Sequence, residues 1–298
     1  MANNSKKILV TGSAGLIGRA LYDYLKQQGH DVTGVDNHSR FQNHEANDSL
    51  DRDLSEYLLS TINDFDIVYH MAAINGTRSF YTDPNKVLRN NVICDLDVFR
   101  FVESNTKTKL IYASSSEVVS GTQNIPTTEE VDISIKNIHN ARWSYRLPKI
   151  LAENYLFNSS IDFVIFRFFN VYSEHAGSGH FVKDIVDKIR TEDFTLMSPD
   201  ETRSFCYVED ILEPMVAVSE TETRQVFNLG STEEITVQEA ADTVADALEI
   251  QPKWKNINGV EGSAVRRCPD VSKLSSSAGK FSIRPFKEIM QDIIGKIK

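Results

Sequence analysis

The sequence predicts an α/β fold, a doubly wound parallel sheet with a smaller α+β cap in its C-terminal part, on three observations. Short apolar runs at Lys7–Val10, Asp66–His70, Lys109–Ala113 and Ile161–Phe168 alternate with segments whose apolar residues recur at helical spacing. The first run leads into a glycine-rich turn, TGSAGLIG, with Gly12, Gly15 and Gly18 opening a helix from about Leu16 to Gln28. The next strand, Asp31–Asp36, ends in an acid 18 residues after Gly18.

The turn has a definite physical use. Glycine lets the backbone bend sharply and lets a pyrophosphate approach the helix N-terminus, whose free N–H groups and dipole attract anions. A glycine turn of this kind also serves simply to pack a helix on a strand. The Asp36 carboxylate favours the phosphate reading, because it can accept both hydroxyls of an adenosine ribose and repels a 2′-phosphate. NAD is therefore the expected cofactor, ahead of NADP.

Composition bounds the remainder. The 298 residues are 41% hydrophobic, enough for one large or two modest domains. A formal charge of −10, from 32 basic and 42 acidic side chains, argues against a nucleic-acid partner. No apolar run nears the roughly 18 residues of a membrane span, and MANNSKK lacks the apolar stretch of a secretory signal, so cytoplasmic placement is expected. Cys94, Cys206 and Cys268 are too scattered for a disulfide framework or a zinc site. The polar stretch Asn37–Asp51 contains His38 and His44, read as solvated loop residues with no metal role.

Taken in order, Asp53-Leu54 starts a short helix, and the strand ending at His70 runs into Met71-Ala72-Ala73, small residues that leave room for a ligand at a strand's carboxyl end. The following loop, Ile74–Asp83, carries Thr77, Arg78 and Ser79 where a substrate could be met, or is only a solvated connection. Pro84 opens a helix to about Ser104 whose apolar stripe is Val87, Leu88, Val92, Leu96, Phe99 and Val102, and which brings one of Asn90 and Asn91 toward the sheet. Ser114-Ser115-Ser116-Glu117 sits on the carboxyl end of the strand Lys109–Ala113. After a long loop, Tyr145 and Lys149 lie one helical turn apart, so the ammonium can favour the phenolate and tune Tyr145 for acid–base work. A Tyr/Lys pair at this spacing is common by chance and gains weight only from its company. Beyond Arg167-Phe168-Phe169-Asn170-Val171-Tyr172 the pattern loosens into the cap, with RSFCYVED beginning at Arg203 and an arginine pair at Arg266-Arg267. The division is placed at residue 170, as 1–170 and 171–298, with interleaving allowed.

Assembled, TGSAGLIG, Asp36, Asp53, the His70–Ala73 strand end, Asn91, ASSSEV, Tyr145 with Lys149, RFFNVY and RSFCYVED resemble the extended short-chain dehydrogenase/reductase family, in its nucleotide-sugar epimerase and dehydratase branch, over almost the whole chain. The resemblance implies a Rossmann-type dinucleotide domain with a substrate-binding cap. It places Gly12, Ala14, Gly15, Leu16, Ile17 and Gly18 around the pyrophosphate of a tightly bound NAD, Asp36 and Asn37 at the adenosine ribose, and Asp53-Leu54 at the adenine, with Ala72, Ala73 and Asn91 lining the cofactor site. Lys149 holds the nicotinamide ribose and Tyr145 is the base. Ser115 matches the hydroxyl that meets the reacting oxygen when ASSSEV is aligned on Ala113, whereas counting back from Gly121 selects Ser116. Asn170 and Arg203 match holders of a sugar nucleotide's diphosphate, with Arg267 a further candidate for that role, and Thr77 and Arg78 remain candidates for meeting the substrate from their loop.

The departures fall near the substrate. Val119-Ser120-Gly121 and Ser173-Glu174 stand where relatives have tyrosine-glycine and glycine-proline, and Pro148 directly precedes Lys149, so the helix is expected to start near Ser144 with Pro148 in its first turn. The expected activity is 4-epimerisation of a nucleotide sugar through a transient 4-keto sugar. Glu117 opens the alternatives of 4,6-dehydration or glucuronate decarboxylation, or is a loop carboxylate; a keto-sugar oxidoreductase and a catalytically silent NAD-binding sensor are further readings. Relatives commonly dimerise through the helix after Pro84 and the helix carrying Tyr145, which implies a homodimer.

Overall fold

The computed structural model describes residues 5–39, 49–177, 179–259 and 262–297, so His44 lies outside the described residues. Its first part runs β1 (Lys7–Thr11), α1 (Leu16–Gln27), β2 (Asp31–Asp36), β3 (Leu50–Asp51), α2 (Leu54–Ser60), β4 (Ile67–His70), α3 (Thr77–Thr82), α4 (Pro84–Glu103), β5 (Lys109–Ser115), α5 (Trp143–Phe157) and β6 (Asp162–Phe168). The second part runs β7 (Val171–Tyr172), α6 (Phe181–Arg190), β8 (Thr195–Met197), β9 (Thr202–Arg203), β10 (Cys206–Tyr207), α7 (Leu212–Thr221), β11 (Gln225–Leu229), β12 (Ile235–Thr236), α8 (Val237–Ala247), β13 (Lys255–Ile257), α9 (Ser272–Ala278) and α10 (Phe286–Ile293).

Seven strands form one parallel sheet in the order β11-β6-β5-β4-β1-β2-β3. The large apolar residues of the inner strands β1, β4, β5 and β6 are buried on both faces, as a parallel sheet covered by helices requires. The order reverses between β1 and β4, which opens a crevice at their carboxyl ends, where doubly wound sheets bind ligands. Beyond residue 170 the chain crosses back: β11 pairs with β6, and Met215 of α7 and Leu274 of α9 share a core with Ile8 and Ile67. The cap has its own core around Val186, Val244 and Met290, and Leu16 of the glycine turn packs into it.

Three local differences from the sequence expectations have physical causes. The stretch after Ile74 contains α3, hidden in the sequence because Phe80 is its only fully buried residue. On α4 the buried stripe is Val87, Asn91, Asp95, Val98 and Val102, so the face is rotated toward two polar residues, and Leu88 is left 36% exposed. Pro148 sits well inside α5, not in its first turn, because burial of Trp143, Tyr145 and Lys149 anchors the helix on both sides of the proline. A proline there has no N–H for the Ser144 carbonyl. Pro148→Ala is therefore expected to stabilise the fold by about 1–2 kcal/mol, once the ~3 kcal/mol helix penalty is discounted for unfolded-state entropy and lost packing. Urea unfolding checks it.

Candidate active site

A cavity of about 1050 Å³ lies over the carboxyl ends of the strands, between sheet and cap. Its floor begins at the glycine turn. Gly12 has φ +68°, and a Cβ there would stand 2.7 Å from Ala72 Cα, while a Cβ at Gly18 would stand 2.1 Å from the Gly12 carbonyl oxygen. Any larger residue at either position would force the turn apart. No side chain among the described residues caps α1 at Gly15, which leaves the backbone N–H groups of its first turn for an anion. Leu16 and Ile17 line the same wall.

Asp36 stands at the mouth of this wall, held by two backbone donors: Ala14 N–H gives to Oδ2 at 3.1 Å and His38 N–H gives to Oδ1 at 2.8 Å. Ala14 thus acts through Asp36 and is not itself a lining residue, whereas Asn37, Leu54, Ala72 and Ala73 do line the cavity. Asp53 borders it too, with its carboxylate capping α2 by accepting from Ser55 and Glu56 N–H. The Asn91 amide clamps the strand end, its Oδ1 accepting from Ile74 N–H at 2.7 Å and its Nδ2 donating to Ile74 O at 3.1 Å. A closed glycine turn, an open helix end and a carboxylate held in place beside them together fit NAD.

At the inner end of the cavity Ser115, Ser116, Glu117, Tyr145 and Lys149 meet. Alternation along β5 leaves Ser115 half-buried and accepting from Glu117 N–H at 3.2 Å, while Ser116 is buried and its N–H donates to Phe168 O. The Tyr145 ring stacks on Phe80, centroids 4.9 Å apart. Lys149 Nζ lies 6.0 Å from that ring's centroid and donates to Tyr112 Oη at 3.0 Å. Burial lowers the Lys149 pKa, against the pull of the nearby Asp95 and Glu153 carboxylates.

Glu117 is the most heavily committed group. Arg142 donates to it twice, Nε to Oε2 at 3.0 Å and Nη2 to Oε1 at 2.6 Å, and Arg267 Nη2 donates to Oε1 at 2.7 Å. Burial alone would raise its pKa, but the charges of Arg267 and Arg142 and their hydrogen bonds prevail and hold the carboxyl well below the usual range. Arg267 is itself buried, and its Nε has no hydrogen-bond partner among the described residues.

The sugar-side residues divide. Thr77 lines the cavity, but Arg78 does not: the winding of α3 puts Thr77, Ser79 and Phe80 at the wall and leaves Arg78 exposed. Asn170 lines it at φ +40°, with Nδ2 donating to Ser204 O at 3.4 Å. Arg203 lines it while donating to Glu201 Oε2 at 2.6 Å and Ser263 Oγ at 2.9 Å. Burial, then the Arg267 charge, lowers its pKa to about 10. Sequence reasoning missed Arg142, although its position three residues before Tyr145, the i,i+3 spacing of a shared helix face, was a usable signal.

A doubly wound sheet with this turn, this carboxylate and a Ser/Tyr/Lys set at one mouth defines a dinucleotide-dependent enzyme acting on a hydroxyl-bearing substrate. The family model described as "NAD dependent epimerase/dehydratase family" matches residues 8–230, and the chain belongs to that family, with NAD as its cofactor. Among curated proteins it is 28% identical over 299 residues to UDP-glucuronic acid decarboxylase 1 of Danio rerio, covering 95% of this chain and 70% of that one. It is 29% identical over 325 residues to UDP-N-acetyl-alpha-D-glucosaminuronate decarboxylase of Bacillus cytotoxicus, covering 96% and 99%. Among solved structures, the UDP-N-acetylglucosamine 4-epimerase from Methanobrevibacter ruminantium M1 shares the fold with a TM-score of 0.83 at 23% identity, covering 98% of each chain.

Proposed function

We propose that the protein oxidises C4 of a nucleotide-linked uronic acid and releases its C6 carboxylate as CO2, with NAD retained through turnover. The observation that carries this is the buried cluster of Arg142, Glu117 and Arg267 beside Ser115. Two guanidinium groups and one carboxylate leave an uncompensated positive charge, and Arg142 and Arg267 both line the cavity in which a substrate carboxylate would sit. A carboxyl held ionised is a poor proton donor to a departing hydroxyl, which speaks against 4,6-dehydration. The names of the two curated relatives support the same choice.

In the proposed reaction the Tyr145 phenolate takes the proton of the C4 hydroxyl, helped by the neighbouring Lys149 ammonium, while Ser115 hydrogen-bonds the reacting oxygen. When bound, NAD supplies the acceptor and later the donor of the C4 hydride. A 4-keto uronate is a β-keto acid. Its C5–C6 bond breaks with the electron pair moving into the C4 carbonyl, CO2 leaves, and C5 then takes a proton. Arg267 orients the carboxylate, and the fixed negative charge of Glu117 keeps that carboxylate from being over-stabilised before it departs. Arg203 and Asn170 hold the diphosphate, which requires Arg203 to share its guanidinium with Glu201.

The purified protein, without added cofactor, is to be incubated with UDP-, GDP-, CDP- and dTDP-linked sugars and uronic acids, with products read by mass and NMR. Loss of the mass of CO2 from a uronic acid is expected. An isomer of unchanged mass would instead mark 4-epimerisation, the second reading, for which the Ser115, Tyr145 and Lys149 set suffices. Loss of water from a neutral sugar would overturn both.

The protein is further proposed to be a cytoplasmic homodimer. Leu88, Val92 and Leu96 of α4 remain at least partly exposed, and Leu151 of the adjoining α5 is 44% exposed, a combination suited to a four-helix contact between two copies. Light scattering should give the mass of a dimer for the wild type and of a monomer for the Leu88→Glu, Leu151→Glu double variant.

A further inference from the structure

A row of buried polar side chains runs beneath the cavity, and apart from Lys149 its members have no part in the steps above. The strand register sets Thr11 beside His70 and His70 beside Tyr112, so β1, β4 and β5 each contribute one polar group at the same level. Asp95 from α4 and Lys149 from α5 complete the row, and each of the five is at most 1% exposed. Hydrogen bonds run through it without a break. Lys149 Nζ donates to Tyr112 Oη at 3.0 Å, and Tyr112 Oη donates to Asp95 Oδ2 at 2.8 Å. Asp95 Oδ1 meets His70 Nε2 at 3.0 Å, and His70 Nδ1 meets Thr11 Oγ1 at 2.7 Å.

Formal charge falls at two points of this row. Burial lowers the His70 pKa and raises that of Tyr112, so both are neutral near pH 7. That leaves the Lys149 ammonium and the Asp95 carboxylate, separated by one phenol. The other groups facing Lys149 are Glu153 and Tyr145 on its own helix, and Cys94 on α4. Glu153 is taken by Arg167, at 3.0 and 2.6 Å, and by Ser114 Oγ at 2.5 Å. Burial pushes the Cys94 thiol up, so it is uncharged. Asp95 is therefore the carboxylate whose hydrogen bonds lead to the ammonium. A fully buried ammonium with no counter-ion sheds its proton, and a neutral amine gives no support to a phenolate. A hydroxyl that receives from the cation and gives to the anion is polarised by both and transmits the charge.

We propose that Asp95, acting through the Tyr112 hydroxyl, is the counter-ion that keeps Lys149 charged, and is thereby a positioning residue for proton abstraction by Tyr145. This rests on the reading of Tyr145 as the base. In sequence, Asp95 follows Asn91 by one turn on the buried face of α4, so the same helix shapes the cavity wall and supplies the charge.

The test is an ultraviolet difference titration of ionised tyrosine in the NAD-loaded protein, with Tyr145→Phe as the subtraction that isolates Tyr145. Asp95→Asn keeps the size of the side chain and its contacts with Tyr112 and His70 while removing the charge. The Tyr145 midpoint should rise by about one pH unit or more, a tenfold change in its ionisation constant. The acid limb of kcat/KM should move with it, so that most of the lost rate returns at high pH. Tyr112→Phe, which leaves Asp95 in place and cuts the link, should shift the midpoint in the same direction, and it decides the matter if Asp95→Asn does not fold. Unmoved midpoints in the folded variants, a rate loss equal at every pH, or a wild-type midpoint at the ordinary tyrosine value would each overturn the proposal. Turnover retained by Tyr145→Phe would overturn the reading of the base instead, an outcome on which the ultraviolet midpoints do not depend.

Discussion

Tyr145→Phe is expected to lower turnover by about two to four orders of magnitude, the usual contribution of a positioned general base, with the NAD content of the purified protein unchanged. The substitution removes one oxygen and leaves the ring that stacks on Phe80, so the cavity keeps its shape. The loss should therefore fall on kcat, with KM nearly constant, because the phenolate matters where the proton is moving rather than where the sugar nucleotide is held. Single-turnover kinetics with the substrate found in the panel, together with release and quantification of bound NAD, measure both quantities. A variant keeping more than about a tenth of wild-type kcat would move the base elsewhere.

Glu117→Gln should reduce stability by about 3–5 kcal/mol, because it leaves two buried guanidinium groups without their shared counter-charge. The pH dependence has a definite sign. Since the folded carboxyl is held below the ordinary value, its contribution is fully present above about pH 4.3, the unfolded value, and is lost as pH falls through the folded one. The gap between wild type and variant, read by urea unfolding, should thus be constant near neutrality and narrow below about pH 4. A gap that does not change with acidification would mean that the cluster's worth lies in its shape and not its charge. Decarboxylation should be lost in the same variant even at temperatures where it is folded.

The parts of the molecule that could be read directly from the sequence are those in which the physics is local. Gly12, Gly18 and Asp36 lie within one strand–turn–helix–strand unit, and their spacing encodes their geometry without help from elsewhere in the chain. The strands were legible because parallel strands buried on both faces are short continuous apolar runs. Pro148 was misplaced because helix propensity is a local rule, and the burial of Trp143 on one side and Lys149 on the other overrides it. The burial of Asp95 was concealed by the apolar residues beside it: Leu88, Val92 and Leu96 offered an equally periodic stripe, and only packing against the sheet shows which face turns inward. The Glu117 cluster could not have been seen at all from spacing, since Arg267 reaches it across 150 residues of chain. Arg78 illustrates the converse, a basic residue whose position in sequence is suggestive and whose place on α3 keeps it out of the cavity.

The pairing of β11 with β6 bears on how the chain is made. A ribosome that has released only residues up to about 170 has delivered six strands of the sheet, with β6 as an outer strand whose N–H and C=O groups face nothing. Six of its seven residues, Phe163 to Phe168, are buried in the finished molecule. An open, apolar edge of that kind is a template for pairing with other chains. The strand that closes it appears more than fifty residues later, after α6, β7 to β10 and α7 have been synthesised. The dinucleotide half is thus not a unit that can be finished first and left to wait. Until β11 has been made, that edge is open to pairing with other chains, and the arrival of β11 is the step that ends the exposure.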